Sequence, residues 1–154
     1  MARTDFRESV KYEIEIGVPN NTEVPIIMDF QGTKFVRDWK KIEFIDEIKR
    51  NWQSYAKSFY EATGVHISAI AVPGNEIYIG STDEGARVLR FHCTANPIIN
   101  QDMDKYEEGV LYITEMIKNT FGLNFVTITK IPVTICSLLT VSDQVQANES
   151  GGTE

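Results

Sequence analysis

The order of extended and helical patterns along the chain predicts an α+β domain, a mainly antiparallel sheet packed by two helices. Its strands are expected from an N-terminal hairpin, a three-strand meander and a C-terminal strand. Two observations carry this reading. Residues 10–18 alternate between apolar and polar side chains, whereas residues 38–63 and 102–121 repeat apolar side chains every three or four positions. The chain divides into an N-terminal β-hairpin arm over residues 1–31, one α+β domain over 32–141, and a polar C-terminal tail over 142–154.

In the first segment Tyr12, Ile14, Ile16 and Val18 fall on one side and Lys11, Glu13, Glu15 and Gly17 on the other, the pattern of a half-buried strand. Pro19-Asn20-Asn21-Thr22 reads as a turn and Val24 to Phe30 as a second extended run, closed by Gln31-Gly32-Thr33. Together they read as a hairpin, with Pro25 marking an edge. A long helix is expected from about Asp38 to Thr63, because Ile45, Ile48, Trp52, Tyr55 and Phe59 share one stripe. Asp38 is placed to cap its start, Gly64 to end it, and Asp46 to face Arg50 on the solvated flank.

Three short strands follow, Val65–Val72, Glu76–Gly80 and Ala86–Thr94, joined by a tight turn at Gly74-Asn75 and by the polar loop 81–85. The first is apolar on both faces, which points to a central position. A second helix is expected from Asp102 or Asp104 to Phe121, with Met103, Tyr106, Val110, Ile113, Ile117 and Phe121 on its stripe and Gly122 at its end. The last strand, Asn124 to Cys136, changes the phase of its apolar residues between Ile128 and Ile131, so a bulge or bend is expected near Lys130–Pro132. Trp52, Phe59, Ile113 and Ile117 should then be buried against Ile70, Ile77, Ile79, Leu89 and Phe91.

The chain has 154 residues, 42% hydrophobic and 24% charged. That is the make-up of one ordinary globular domain, able to bury a core without disulfides or metal. No apolar run approaches the roughly 18 residues of a membrane span, so no membrane contact is expected. Arg3 and Arg7 are followed by acids rather than an apolar stretch, so no secretory signal is expected either. The cysteines are Cys93 and Cys136, with no CxxC spacing, which fits a reducing compartment and a cytoplasmic location, or a virion if the protein is viral. A net charge of −7 argues against direct readout of nucleic acid, which relies on neutralising phosphates.

His66-Ile67-Ser68 and His92-Cys93-Thr94 are two copies of His-x-Ser/Thr, a pattern that resembles the two-histidine phosphoesterases. The resemblance implies one imidazole as base and the other as acid at a single phosphodiester, hence both within reach of one phosphate. With a turn at Gly74-Asn75 the two motifs point from opposite faces of the meander. A one-residue slip brings them to one face but leaves them roughly 20 Å apart, at about 3.3 Å per residue. Neither register builds one site, and no catalytic residue is assigned. No spacing of His, Cys and acids favours a metal, no glycine-rich phosphate loop or GxSxG is present, and no cofactor is expected. Cys93, in line with Leu89 and Phe91, reads as a buried and inert thiol.

Glu76, Tyr78, Arg90 and His92 fall with Thr94 on one sheet face, Glu76 near His92 and Tyr78 near Arg90. They read either as ordinary cross-strand pairs on a solvated face or as a contact surface for a partner or small ligand. The N-terminal hairpin offers a second contact surface through Tyr12, Ile14, Ile16 and Val24, since a projecting hairpin can add to a neighbour's sheet.

The order long helix, antiparallel strands with a projecting hairpin, helix, strand is similar to that of the tail-terminator and head–tail completion proteins of tailed phages. The resemblance covers about Asp38 to Cys136 by element order and carries no residue motif. It implies a non-enzymatic assembly protein that forms oligomeric rings with copies of itself and with other structural chains. The alternative is a small binding protein that sequesters a ligand or blocks a partner protein.

Overall fold

The computed structural model describes residues 3–100, 102–123 and 126–139. Along the chain run β1 (Arg3–Gly17), β2 (Thr22–Phe30), β3 (Thr33–Ile42), α1 (Phe44–Thr63), β4 (Ile70–Glu76), β5 (Ala86–Thr94), α2 (Met103–Phe121) and β6 (Val126–Leu139). Four of the strands form one sheet in the order β4-β5-β1-β6, each antiparallel to its neighbour. The chain thus has the expected α+β class, with an antiparallel sheet and two helices. With β2 and β3 set aside, the order β-α-β-β-α-β and the position of β5 between β4 and β1 make the ferredoxin-like split βαβ arrangement. β2 and β3 pair with each other in a separate two-stranded ribbon between β1 and α1.

The largest departure from the sequence reading is the place of β1. It does not pair with the run that follows it. It lies between β5 and β6, with Ile14 opposite both Phe91 and Ile128. No hairpin therefore spans residues 10–30, and β2 folds back on β3, which takes residues 38–42 out of the expected helix. The cause lies in the apolar side of β1, because Tyr12, Ile14 and Ile16 are only 4%, 0% and 0% exposed. A projecting hairpin cannot dry three large side chains, whereas the middle of a helix-covered sheet can.

α1 accordingly starts at Phe44. Its cap residue Glu43 makes no side-chain cap bond, and the Phe44 N–H donates instead to the Asn21 side-chain oxygen at 3.3 Å. Asp38 sits opposite Ile26 in the ribbon, and Arg50 pairs with Glu47 rather than Asp46. The stripe itself faces the core: Ile48, Trp52 and Phe59 are buried, and Ile45 and Tyr55 pack partly buried against them. α2 begins with Asp102 as its cap, whose carboxylate accepts from the Lys105 N–H at 2.9 Å, and it buries Tyr106, Val110, Ile113 and Ile117. Both helices end in left-handed glycines, Gly64 and Gly122.

β4 is an edge strand, not a central one. It runs through Pro73, Gly74 and Asn75, opposite Leu89, Val88 and Arg87, so no turn forms there. An edge tolerates Pro73 because no further strand needs its missing N–H. The expected strand 76–80 falls mostly in the 77–85 connection, and Ile70, Ile77 and Ile79 are exposed while Leu89 and Phe91 are buried. Gly85 closes that connection at φ +74, where a Cβ would lie 2.4 Å from the Glu76 carbonyl oxygen.

β6 pairs with β1 with no register break, so the bulge near Lys130–Pro132 does not form. Val126 and Ile128 pack on the core, and Ile131, Val133 and Ile135 lie half-buried on the opposite, helix-free face. The expected start of the last strand at Asn124 and the polar tail from residue 142 lie outside the described residues. Among the described residues no helix is long and apolar enough to cross a membrane.

The two helices meet closely at Gly109. A Cβ there would lie 2.6 Å from Phe59 Cε2 and 3.0 Å from Ile67 Cδ1. Gly109→Ala should therefore destabilise the protein by about 1–3 kcal/mol through overpacking, outweighing a helix-propensity gain of up to about 1 kcal/mol. Thermal melting checks it, and a raised Tm would show that the Phe59 ring can swing aside.

Candidate functional site

Three regions of the fold gather chemistry-bearing side chains. The first is the helix-free face of the sheet. Cross-strand register places Glu13 beside His92 and Glu15 beside Arg90, with Lys11 beside Thr94. Arg90 grips Glu15 with both Nε and Nη2 at 2.8 Å, and Lys11 Nζ lies 3.1 Å from Glu13 Oε1. The Glu13 carboxyl is held below its ordinary value, first by the Lys11 hydrogen bond. His92 Nδ1 lies 3.4 Å from Glu13 Oε1, near enough for an ion pair but without hydrogen-bond geometry, so this buried nitrogen has no hydrogen-bond partner among the described residues.

Of the residues singled out from sequence, this face keeps Arg90, His92 and Thr94. The acidic partners of Arg90 and His92 come from β1, not from Glu76 and Tyr78. Glu76 lies opposite Ala86 at the end of β4, and Tyr78 is exposed in the connection that follows. Tyr12, Ile14 and Ile16 are core residues under the helices, so they offer no contact surface on this chain, while Val24 sits half-buried on the ribbon.

The second region is a latch between α2 and β6. Glu107 Oε1 accepts from Tyr12 Oη at 3.1 Å and pairs with Lys130 Nζ at 2.8 Å. Burial first, and then Glu107, pushes the Tyr12 hydroxyl up to about 12. The neighbouring Tyr106 hydroxyl is buried without a hydrogen-bond partner among the described residues, and burial raises it as well. The Glu107 carboxyl is depressed from its ordinary 4.5, by Lys130 first and Tyr12 second. The stability such a group adds is present above the unfolded value and lost as pH falls through the folded one. Lys130→Met should therefore flatten the loss of stability on acidification below about pH 4.5. The effect is small, because the pair is partly exposed and solvent screens it. Acid titrations followed by circular dichroism check it, and superimposable curves for parent and variant would remove the latch from the stability of the fold.

The third region is a cleft of about 360 Å³ between α1 and the segment leading into β4. Trp52 and Phe91 form part of its lining, their rings stacked at 4.3 Å, with Lys49, Gln53 and Ser68 also bordering it. Nothing in the sequence marked this site beyond the density of aromatics on α1. A further cleft of about 520 Å³ lies at the corner where Gly17, Gly85 and Gly122 meet Arg87. Arg87 there is engaged, its Nη1 donating to the Pro19 carbonyl and to Asn21 Oδ1, both at 3.2 Å.

The two His-x-Ser/Thr motifs do not build one site. His66 stacks on Tyr60 of α1 at 4.0 Å, on the helix side, whereas His92 projects from the helix-free face. Cys93 is fully buried, and burial pushes its thiol up to about 12. Among the described residues no three or more His, Cys, Asp or Glu gather as a metal site.

These side chains alone name no reaction. A protein-family model described as SAM lyase matches residues 9–138, from within β1 almost to the end of β6. The chain belongs to the SAM lyase family. The match takes in both helices and all four strands of the sheet, and it overturns the resemblance to phage tail-terminator and head–tail completion proteins. That resemblance rested on element order, which small α+β folds of unrelated function share. The non-enzymatic assembly role and the virion setting fall with it, and the alternative of a blocking protein finds no support in the match. No match was found among curated proteins or among solved structures.

Proposed function

We propose that this chain is an enzyme that cleaves S-adenosylmethionine as a lyase, working in the cytoplasm. The observation that carries the reading is the family match over residues 9–138. The chemistry suits a fold without a ready-made acid–base pair. When a C–S bond of a sulfonium breaks, its electron pair stays on sulfur and a neutral thioether departs, so the leaving group needs no general acid. The carbon is satisfied by the substrate's own carboxylate or by loss of a neighbouring proton, and no water enters. Protein charge agrees as well, since a net −7 attracts a substrate whose sulfonium and ammonium outweigh its one carboxylate. Purified protein should consume S-adenosylmethionine and release a thioether nucleoside, with no oxygen-18 in the other fragment at early times in labelled water. Unchanged substrate would remove the activity, and early label would make the protein a hydrolase instead.

The same chain is proposed to work as a homo-oligomer that meets its copies through the β2–β3 ribbon. An isolated two-stranded ribbon is marginal in water. This one exposes Ile27, Met28, Phe30, Phe35, Val36 and Trp39. Replacing Ile27, Phe35 and Trp39 by Ser should lower the mass in sedimentation while the helix signal stays. An unchanged mass would free the ribbon of this role.

A further inference from the structure

We propose that the β2–β3 ribbon of one copy docks on the free β4 edge and the 77–85 connection of the next. The inference rests on the reading of the chain as a homo-oligomer through its ribbon, and it assigns the surface that receives the ribbon. The hydrophobic core is built without any residue of β2 or β3. Charge sets the ribbon apart as well. β3 carries four cations, Lys34, Arg37, Lys40 and Lys41, against the single acid Asp38, in a chain whose net charge is −7. All four are exposed, and none is in an ion pair among the described residues.

The receiving surface has the opposite charge and the same apolar character. Residues 62–86 hold no Lys or Arg. Their acids, Glu76, Asp83 and Glu84, are exposed and equally without an ion pair among the described residues. Around them Ile70, Ile77 and Ile79 are 70%, 71% and 104% exposed. Apolar patches rimmed by polar groups mark protein contacts, and complementary charge selects the partner and its register. β4 is also an edge of the four-stranded sheet, so a strand can approach its outer side. Pro73 and Gly74 interrupt that edge, so side chains and charge pairs carry the contact rather than a long backbone ladder. The helix-free face offers less, because Glu13 and Glu15 are already paired with Lys11 and Arg90. Ribbon and edge are different surfaces, so the contact runs head to tail and closes into a cyclic oligomer where the rotation between copies permits.

Charge reversal with mixing tests this, because a head-to-tail contact can be broken from either side. Asp83→Lys/Glu84→Lys and Lys40→Glu/Lys41→Glu should each sediment as a monomer with the parent's helix signal, since all four positions are exposed. Mixed, they should form a complex of two chains and no larger, because the first variant keeps its ribbon and the second its receiving edge. A chain with all four substitutions should recover the parent mass, its charges being exchanged rather than lost. A parent mass that survives reversal at residues 83 and 84 overturns the docking, and the ribbon reading then stands or falls on the Ser replacements above. Two monomers that stay apart on mixing, or a fourfold variant that does not reassemble, overturn it too. A monomeric parent sinks both readings. If a reversed variant fails to fold, the parent itself serves, with unlabelled and nitrogen-15-labelled chains refolded together and coupled by carbodiimide. Lys40 or Lys41 should then be joined to Asp83 or Glu84 in pairs of one light and one heavy peptide, and the absence of such mixed pairs overturns the docking.

Discussion

Deletion of residues 1–17 should abolish folding. β1 is hydrogen-bonded to β5 on one side and to β6 on the other, and it is the strand through which β6 joins the sheet. Its helix-facing side buries Tyr12, Ile14 and Ile16 almost completely. Each fully buried large side chain contributes roughly 1.5–3 kcal/mol, so the three together supply roughly 5–9 kcal/mol. Domains of this kind have about 5–15 kcal/mol in total. The loss also strands β6 and uncovers Leu89, Phe91 and Cys93. The truncated protein should therefore show no cooperative thermal transition and no native near-ultraviolet signal. A truncated protein that melts cooperatively near the parent would mean that β1 is an accessory arm after all, and that the sheet closes without it.

That contrast shows how far residue patterns reach. Period-2 alternation in β1 is legible because an antiparallel strand with one open face must alternate, yet the pattern is the same whether its partner follows at once or lies some seventy residues on. Proximity favours the hairpin; burial favours the middle of the sheet, and burial prevails. The helices are legible for a similar reason, since one stripe of Ile48, Trp52 and Phe59 admits one dry arrangement. The start of α1 is not, because residues 38–42, Trp39 among them, continue a helix as readily as they form a ribbon until β2 offers a pairing partner. At β4 the turn signal of Gly74-Asn75 is overridden by its edge position, where Pro and Gly cost little. In β6 the phase change between Ile128 and Ile131 is present in the residues, but it reflects apolar side chains on both faces of an unbroken strand.

Function was less legible than fold. Arg90 and His92 share a face as their spacing requires, but the carboxylates they meet, Glu15 and Glu13, come from a strand more than seventy residues away. The Trp52 cleft draws on α1, the 64–69 segment, β4 and β5, so no short motif can announce it. A lyase acting on a sulfonium is also hard to read from residues, since a neutral leaving group removes the need for the paired acid and base by which hydrolytic sites are found. The net charge of −7 was informative in one direction only. It argues against a polyanion as partner, and it leaves a small cation as a substrate the surface would attract.

Phe91→Ala should produce the largest loss of any single truncation in the sheet. The residue is 2% exposed, lies at the centre of β5 opposite Ile14 and Ala71, and stacks on Trp52 with ring planes 15° apart. Removing a buried phenyl ring costs about 3–5 kcal/mol, because the walls relax only in part around the cavity. Little relaxation is available here. β5 is pinned by strands on both sides, and the Trp52 indole loses the ring it rests on, worth a further 0.5–1.5 kcal/mol or so. At about 2–4 °C per kcal/mol for a protein of this size, the Tm should fall by roughly 10 °C or more. Ile79→Ala, at a residue 104% exposed in the 77–85 connection, is the matched control and should stay within about 0.5 kcal/mol of the parent. If Phe91→Ala instead melts alongside Ile79→Ala, the Trp52–Phe91 stack is not closed in solution, and α1 does not seat on the sheet through it.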